Sequence, residues 1–94
     1  MEIIIRYFTV LRKITRKRQE RIKIKKDSTF EDMLAILVRR YGENFERYTS
    51  SGRGKKGLQL VFLLNGQDLS QLNGLKTRLH DGDTVAVVPP IAGG

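Results

Sequence analysis

The residues of this chain whose types and order could do chemistry lie in its last ten positions, VAVVPPIAGG. Proline fixes its own backbone angle and has no amide donor, so the strand predicted before it cannot continue. A pair of prolines favours the extended polyproline II conformation, which predicts a projecting tail over residues 89–94. The tail residues are Pro89, Pro90, Ile91, Ala92, Gly93 and Gly94. The two glycines make its tip thin enough for a narrow site in another protein.

A carboxylate at the end of such a tail could be activated by a partner. A carboxylate is a poor electrophile, but its attack on the α-phosphate of ATP gives an acyl-adenylate, whose carbonyl then accepts sulfur or an amine. A side chain at Gly93 or Gly94 would crowd the site of that reaction. The alternative is a frayed terminus without a role, because chain ends are commonly disordered. These residues alone leave both interpretations open.

Other kinds of reactive site have little support in the sequence. There is no cysteine, so disulfides, thiolate metal sites and a cysteine nucleophile are excluded. The single histidine, His80, is expected to be a surface residue of a turn, and Asp81 and Asp83 are expected to form that turn. No nucleophile, base and orienting group occur as a set. We therefore expect neither an enzyme nor a bound metal or cofactor.

Length and hydropathy predict one small domain of 94 residues, with a folded part over residues 1–88. No apolar run approaches the roughly 20 residues that a membrane span needs. The N-terminal residues lack the basic and then apolar order of a signal peptide. A soluble cytoplasmic protein without a membrane partner is expected.

The charge is strongly basic, with 18 Lys and Arg against 10 Asp and Glu, a net charge of +8. Most of the excess lies between residues 12 and 26, where Glu20 is the single acid. The simpler interpretation is a solvated face. The alternative is a face for RNA or an acidic partner, which would bind in a salt-dependent way. The candidates are Arg16, Lys17, Arg18, Lys23 and Lys25. No aromatic residues interleave with them, so base stacking is unsupported.

Four stretches predict strands that could carry the tail. They are EIIIRYF (2–8), RIKIK (21–25), LQLVFLLNG (58–66) and TVAVV (84–88). The first two could pair as an antiparallel hairpin. Asn65-Gly66 predicts a tight turn. After it, QDLSQLNGLKTRL favours a short strand and a single 3₁₀ turn.

One helix is predicted between the second and third strands. Ser28 and Glu31 have the spacing of a capping box, and Gly42 suits the position after the helix. Between them runs an apolar stripe of Phe30, Met33, Leu34, Leu37, Val38 and Tyr41. ENFERY (43–48) can add a short helical turn, and residues 49–57 predict a mobile loop. One striped helix on a mixed sheet of four or five strands is a two-layer α+β domain with the β-grasp plan.

The ending LHDGDTVAVVPPIAGG resembles that of the MoaD/ThiS family of ubiquitin-like sulfur carriers, which close on Leu-x-Asp-Gly-Asp-x-Val, a strand and Pro-Pro-x-x-Gly-Gly. IIIRYFTVLRKI resembles the first strand of that family and the turn that follows it, STFEDMLAILVRRYG resembles its helix, and LLNGQDL resembles its Asn-Gly turn. The Pro-Pro feature favours the small subunit of molybdopterin synthase and related archaeal modifiers over the thiamine sulfur carrier.

The resemblance implies that a ubiquitin-activating-type enzyme adenylates the carboxylate of Gly94, using ATP and magnesium, and that sulfur transfer then gives a thiocarboxylate. The large subunit of molybdopterin synthase, or another sulfur-accepting enzyme, would receive the tail. The alternatives are conjugation through Gly94 to lysines of target proteins, or sulfur delivery to tRNA. A small basic nucleic-acid-binding module is a further alternative.

Family members also dock through an apolar patch on the open face of the sheet, beside the tail. Strand alternation directs Val85 and Val87 toward the helix, and Ala86 and Val88 outward. The predicted patch consists of Phe8, Leu63, Leu69 and Val88. The alternative is a scatter of exposed apolar residues, which is ordinary for a protein surface.

Overall fold

A computed structural model describes residues 1–49 and 61–88 of the chain. Its elements are, in chain order, β1 (Glu2–Tyr7), α1 (Thr9–Thr15), β2 (Gln19–Lys23), α2 (Phe30–Tyr41), α3 (Glu43–Thr49), β3 (Val61–Leu64), β4 (Gln67–Asp68), two 3₁₀ turns (Leu69–Gln71 and Gly74–Lys76) and β5 (Thr84–Val88). Apart from Thr49, the predicted mobile loop lies outside the described residues, as does the whole predicted tail.

The five strands form one mixed sheet in the order β2-β1-β5-β3-β4. The first and last strands are parallel neighbours, with Ile4 opposite Thr84 and Tyr7 opposite Val87. All other pairs are antiparallel, including the predicted β1–β2 hairpin. The predicted α+β class and β-grasp plan are therefore confirmed.

The core lies between the inner face of this sheet and α2. Residues of β1 and β5 alternate as predicted, and their inward side chains are buried: Ile3, Ile5, Tyr7, Val85 and Val87. The helix contributes Phe30, Met33 and Leu37, all buried. Since burying one such side chain contributes about 1.5–3 kcal/mol, this contact is the main support of the fold.

The start of α2 is one residue later than the sequence predicts. Thr29 is the N-cap: its Oγ1 accepts from the amide of Asp32 at 3.3 Å, and Asp32 Oδ2 accepts from the amide of Thr29 at 2.9 Å. The predicted Ser28–Glu31 capping box is wrong. Thr29 has the extended backbone that an N-cap requires, while the carbonyl of Ser28 accepts from the amide of Leu79. Gly42 does end the helix, with a φ of 87°.

A short helix, α1, occupies the connection that was predicted only as part of a hairpin. Leu11 is fully buried and Thr15 nearly so, and Leu11 is part of the hydrophobic core. Arg16 ends it with a left-handed φ of 61°, and its amide donates to the carbonyl of Arg12. The strand β2 consequently begins at Gln19, two residues before the predicted start.

The turns in the second half of the chain agree closely with those predicted from the sequence. Asn65 and Gly66 both have positive φ, as the tight turn between β3 and β4 requires. A short strand follows as predicted, but two 3₁₀ turns come after it instead of one. Asp81 and Asp83 form the last turn: they accept from the amides of Glu2 and His80, both at 2.7 Å.

Candidate functional site

The strand β5 ends at Val88, which is the described residue nearest in sequence to the tail. The site considered first is therefore the side of the sheet at which β5 terminates. Because β1 and β5 are parallel, their carboxyl ends lie at the same edge. Val61, the first residue of β3, is opposite Val88 there. The amide of Tyr7 donates to the carbonyl of Arg18 at 2.8 Å, which brings the turn before β2 to this edge. We call this side of the sheet the tail edge.

The strand β5 holds Val88 firmly at the tail edge. It is hydrogen-bonded to β1 on one side and to β3 on the other. Val85 and Val87 are buried on its inner face. The base of the tail is therefore a fixed point of the fold. The predicted tail residues, Pro89, Pro90, Ile91, Ala92, Gly93 and Gly94, lie outside the described residues, so their projection stays a prediction.

The open face of the sheet carries an apolar group beside the tail edge. Val61 is opposite Val88, and Leu63 is opposite Ala86, on the side away from α2. Phe8 follows β1 at the same edge and is half-buried. The guanidinium carbons of Arg6 and Arg12 both lie 5.9 Å from the centre of its ring. We call Phe8, Val61, Leu63, Ala86 and Val88 the open-face patch.

One residue of the predicted patch is misplaced. Leu69 is buried and belongs to the core. It begins the 3₁₀ turn after β4, so strand alternation no longer sets the direction of its side chain. Asp68 caps this turn by accepting from the amide of Ser70 at 2.9 Å, and that hydrogen bond lowers the pKa of Asp68. The prediction also missed Val61, which pairing with Val88 brings to the patch.

The predicted basic residues lie on both sides of the sheet. Lys23 is on the open face of β2, together with Arg21. Arg16 and Arg18 are exposed in the turn after α1, and Lys25 is exposed beyond β2. Lys17 points to the opposite side of the sheet, where its Nζ is 3.3 Å from Glu20 Oε1. Lys17 and Lys23 therefore lie on different sides of the sheet, and a polyanion-binding face made of all five residues stays a prediction.

Glu20 is the centre of a polar cluster that the sequence did not predict. Its inward side chain is only 7% exposed. The hydroxyl of Tyr7 donates to Glu20 Oε2 at 2.5 Å, and the hydroxyl of Tyr41 donates to the same atom. Arg40 donates to Glu20 Oε1 at 2.9 Å, and Lys17 donates to both Glu20 and Tyr41. The signal available in the sequence was one acid within a long basic run.

Burial and hydrogen bonding act in opposite directions on Glu20. Burial opposes its ionisation, but the hydrogen bonds from Tyr41, Tyr7 and Lys17 outweigh burial, so the pKa of Glu20 is lowered. The pKa of Tyr7 is raised, first by burial and then by its bond to the Glu20 carboxylate. The hydrogen bonds to Tyr41 and Glu20 raise the pKa of Lys17. The ionised carboxylate thus joins β1, β2 and α2 beneath the tail edge.

The described ranges, 1–49 and 61–88, offer no alternative chemical centre. They contain no group of three or more His, Asp or Glu side chains arranged to hold a metal ion. His80 is exposed, and its Nδ1 is 3.9 Å from Asp83 Oδ2 within the same turn. Within these ranges no helix is long and apolar enough to cross a membrane.

The mixed five-stranded sheet, the helix across it and the fixed base at Val88 define a ubiquitin-like β-grasp protein. The chain belongs to the ThiS family, whose sequence pattern matches residues 5–94. The members of this family are small ubiquitin-like carrier proteins and not enzymes, as predicted for this chain.

Known relatives agree with this assignment. Small archaeal modifier protein 3 of Haloferax volcanii is 33% identical over 94 residues, which cover 100% of both chains. A Haloferax volcanii protein solved in solution is 31% identical, with a TM-score of 0.77 over 100% of this chain and 87% of that one. A third structure, the complex of subunits 1 and 2 of the molybdopterin-converting factor from Helicobacter pylori, has a TM-score of 0.65 and 22% identity over 100% of both chains. At that identity the third likeness concerns the fold alone.

Proposed function

We propose that this chain carries sulfur on the carboxylate of Gly94, for delivery to a biosynthetic enzyme. The observation that carries the proposal is the extent of the family match, which runs through residue 94 and so includes the two final glycines. The alignment with small archaeal modifier protein 3 covers 100% of both chains and likewise includes Gly93 and Gly94.

The chemistry belongs to a partner adenylating enzyme of the ubiquitin-activating type, which uses ATP and magnesium. The Gly94 carboxylate attacks the α-phosphate of ATP, and pyrophosphate leaves. A hydrosulfide donor then attacks the acyl carbonyl, and AMP leaves with the electron pair of the broken carbon–oxygen bond. The product is a thiocarboxylate, and the chain itself supplies only the activated group and the surface by which it is held.

The geometry at the tail edge supports a chain that supplies the reactive group and the docking surface, and a partner that supplies the catalysis. Since β5 lies between β1 and β3, and Val88 pairs with Val61 of β3, a partner that binds the body of the domain also sets the point from which the tail starts. The open-face patch adjoins that point and is the surface we propose for docking. Apolar groups gathered on one face and rimmed by arginines are typical of a protein–protein contact.

The destination proposed for the sulfur is molybdopterin, through the large subunit of molybdopterin synthase. The structure of the two-subunit complex from Helicobacter pylori supports this, because one of its chains has the present fold. The cytoplasm is the compartment that we propose for this work.

A second candidate function is protein modification, in which an amine of a target lysine attacks the activated Gly94. It is supported by the 33% identical relative, which is a small archaeal modifier protein. Sulfur delivery to tRNA is a variant of the first function. A nucleic-acid-binding module is less favoured, because the basic residues are divided between two sides of the sheet.

The test is an intact-mass measurement after incubation with the cognate adenylating enzyme, ATP, magnesium and a sulfur donor. We expect the mass increase of one sulfur replacing one oxygen, confined to the C-terminal fragment. A variant lacking Gly94 serves as the control and should stay unchanged. No increase with an enzyme that adenylates a known substrate would contradict the proposal.

A second experiment distinguishes sulfur delivery to molybdopterin from protein modification. The thiocarboxylated chain should return to its original mass when the synthase large subunit and its pterin substrate are added. If modification dominates instead, cells should contain target proteins with Gly-Gly remnants on lysine, and these should vanish when Gly94 is deleted. Remnants without any sulfur transfer would assign the chain to modification.

A further inference from the structure

A second surface, away from the tail edge, lies beside the free side of β2. An open groove of about 610 Å³ runs between the end of β2 and α2. Its lining residues are Lys23, Ile24, Lys25, Ser28, Asp32 and Ile36. A volume of this size can take several side chains of a bound segment.

The backbone along this groove is an unpaired strand edge. The sheet order places β2 at one end of the sheet. The amide of Ile24 donates to the carbonyl of Met1 at 2.9 Å, and the carbonyl of Arg18 accepts from Tyr7 at 2.8 Å, so the even-numbered residues bond to β1. In an antiparallel pair the residues between them direct their backbone groups the other way. The outward N–H and C=O groups of Arg21 and Lys23 find no partner among the described residues.

The floor of the groove offers an apolar contact next to this edge. Ile36, on α2, is 36% exposed, and it is the one large hydrophobic residue classed as exposed in the described ranges. Ile24 lies across the groove from it and is largely buried. An added strand could cover both side chains while it pairs with β2.

The charges around the groove indicate which kind of partner would bind there. Arg21, Lys23 and Lys25 are exposed along the edge. The acid in the groove, Asp32, directs its Oδ2 to the amide of Thr29 at 2.9 Å. Lysines on an edge strand repel a second copy of the same basic strand. The same charges attract an acidic segment, so a peptide is favoured over self-association.

We infer that the β2 edge binds an extended acidic peptide segment of a partner protein, which adds to the sheet as a further strand. Because side chains of a strand alternate, one set of peptide residues would face Ile24 and Ile36 and should be apolar. The intervening set would lie beside Arg21 and Lys23 and should be acidic. This non-covalent recognition uses neither the tail edge nor Gly94, so it does not depend on the proposed carrier function.

The experiment uses the full chain, labelled with ¹⁵N, and a synthetic seven-residue peptide that alternates glutamate and valine. A peptide of the same composition, with its valines in one block, is the control. Binding of the alternating peptide should slow amide hydrogen exchange at Arg21 and Lys23, while Ile22, already bonded to β1, should change little. Equal affinity for the two peptides, or no added protection at Arg21 and Lys23, would overturn the inference.

Two variants test the charge and the apolar contact separately. Lys23→Glu should weaken binding of the alternating peptide by about threefold to tenfold, since it replaces an exposed attraction by a repulsion. Ile36→Ser should weaken it while leaving the fold intact, because that side chain is already partly exposed. Lys13→Glu, the same charge change on α1, is the matched control and should have little effect.

Results with RNA, with a dimer of this chain and at high salt also test the choice of an acidic peptide as the partner. A short RNA that protects the same two amides at a lower concentration than the peptide would overturn the choice of a peptide partner. So would a dimer of this chain formed through Arg21 and Lys23. Loss of peptide binding at high salt together with the expected variant effects would support the inference, because exposed ion pairs are screened.

Discussion

At the scale of single residues, Glu20 is the most consequential side chain in the described structure. It is nearly buried, yet four donors surround it: Tyr7, Tyr41, Lys17 and Arg40. An ionised carboxylate removed from water is costly unless it is paired and hydrogen-bonded. Within the described ranges every buried polar side-chain atom has a hydrogen-bond partner, so the cluster is fully satisfied. It links β2 to β1 and to α2 through side-chain hydrogen bonds.

We expect Glu20→Gln to lower the free energy of unfolding by about 1–3 kcal/mol, because the amide supplies one acceptor oxygen and leaves other donors unpaired. Urea denaturation near neutral pH measures this change. Glu31→Gln is the matched control, since Glu31 is exposed on α2 and should cost little. An equal loss in both variants would contradict the role of the cluster.

The same residue predicts how stability depends on pH. The pKa of Glu20 is lower in the folded chain than in the unfolded chain, so its contribution is present above the unfolded pKa. That contribution is lost as the pH falls through the folded pKa. The wild-type chain should therefore lose more stability on acidification than Glu20→Gln does. Parallel curves for the two proteins would show that Glu20 is not a source of acid sensitivity.

At the scale of elements, the position of α2 depends on its N-cap. Thr29 both caps the helix and pairs with Arg78 across an isolated bridge, so it ties the helix start to the chain before β5. Ser28, its neighbour, has the same hydroxyl but does not cap. The distinction can be tested because both residues can be changed to alanine.

Thr29→Ala should lower the free energy of unfolding by about 0.5–2 kcal/mol, the usual cost of losing an N-cap. Ser28→Ala should cost clearly less, because the carbonyl of Ser28 accepts from the amide of Leu79 and its amide donates to the carbonyl of Lys25, and alanine retains both groups. Thermal and urea unfolding of both variants gives the comparison. A larger loss of unfolding free energy from Ser28→Ala than from Thr29→Ala would instead favour Ser28 as the N-cap, as the sequence predicts.

The elements also show what sequence can and cannot predict. Alternation predicted the inward valines of β5, and the helical stripe predicted the buried face of α2, because these periods are local properties. Helix α1 was missed because its seven residues, TVLRKIT, follow an N-cap, Phe8, that makes no side-chain hydrogen bond, and because the burial of Leu11 depends on distant partners. Leu69 was misplaced because a 3₁₀ turn interrupts alternation. The Glu20 cluster unites residues 7, 17, 20, 40 and 41, which no local pattern relates.

At the scale of the whole molecule, the two sides of the sheet have separate roles. The inner face is filled by α2 and by the Glu20 cluster. The outer face carries the open-face patch beside Val88, and we propose that the adenylating enzyme docks there. The β2 edge is one outer edge of the sheet, and β1 separates it from β5.

Leu63→Ser should raise the KM of the adenylating enzyme for this chain with little change in kcat, because it removes an apolar contact used for docking and leaves the tail unaltered. Steady-state pyrophosphate release measures both constants. Ile36→Ser removes a comparable side chain on the other side of the molecule and is the matched control. Equal effects of the two changes would place the docking surface elsewhere.

The parallel pairing of β1 with β5 has a consequence for how the protein is made. Chains fold as they emerge from the ribosome, beginning at the N-terminus. The first strand, however, obtains its central neighbour only when residues 84–88 have been synthesised. Contacts between the ends of a chain also slow folding. Incomplete chains therefore lack the centre of the sheet. The open-face patch includes Ala86 and Val88, so it is complete only after β5 has been synthesised and has paired with β1 and β3.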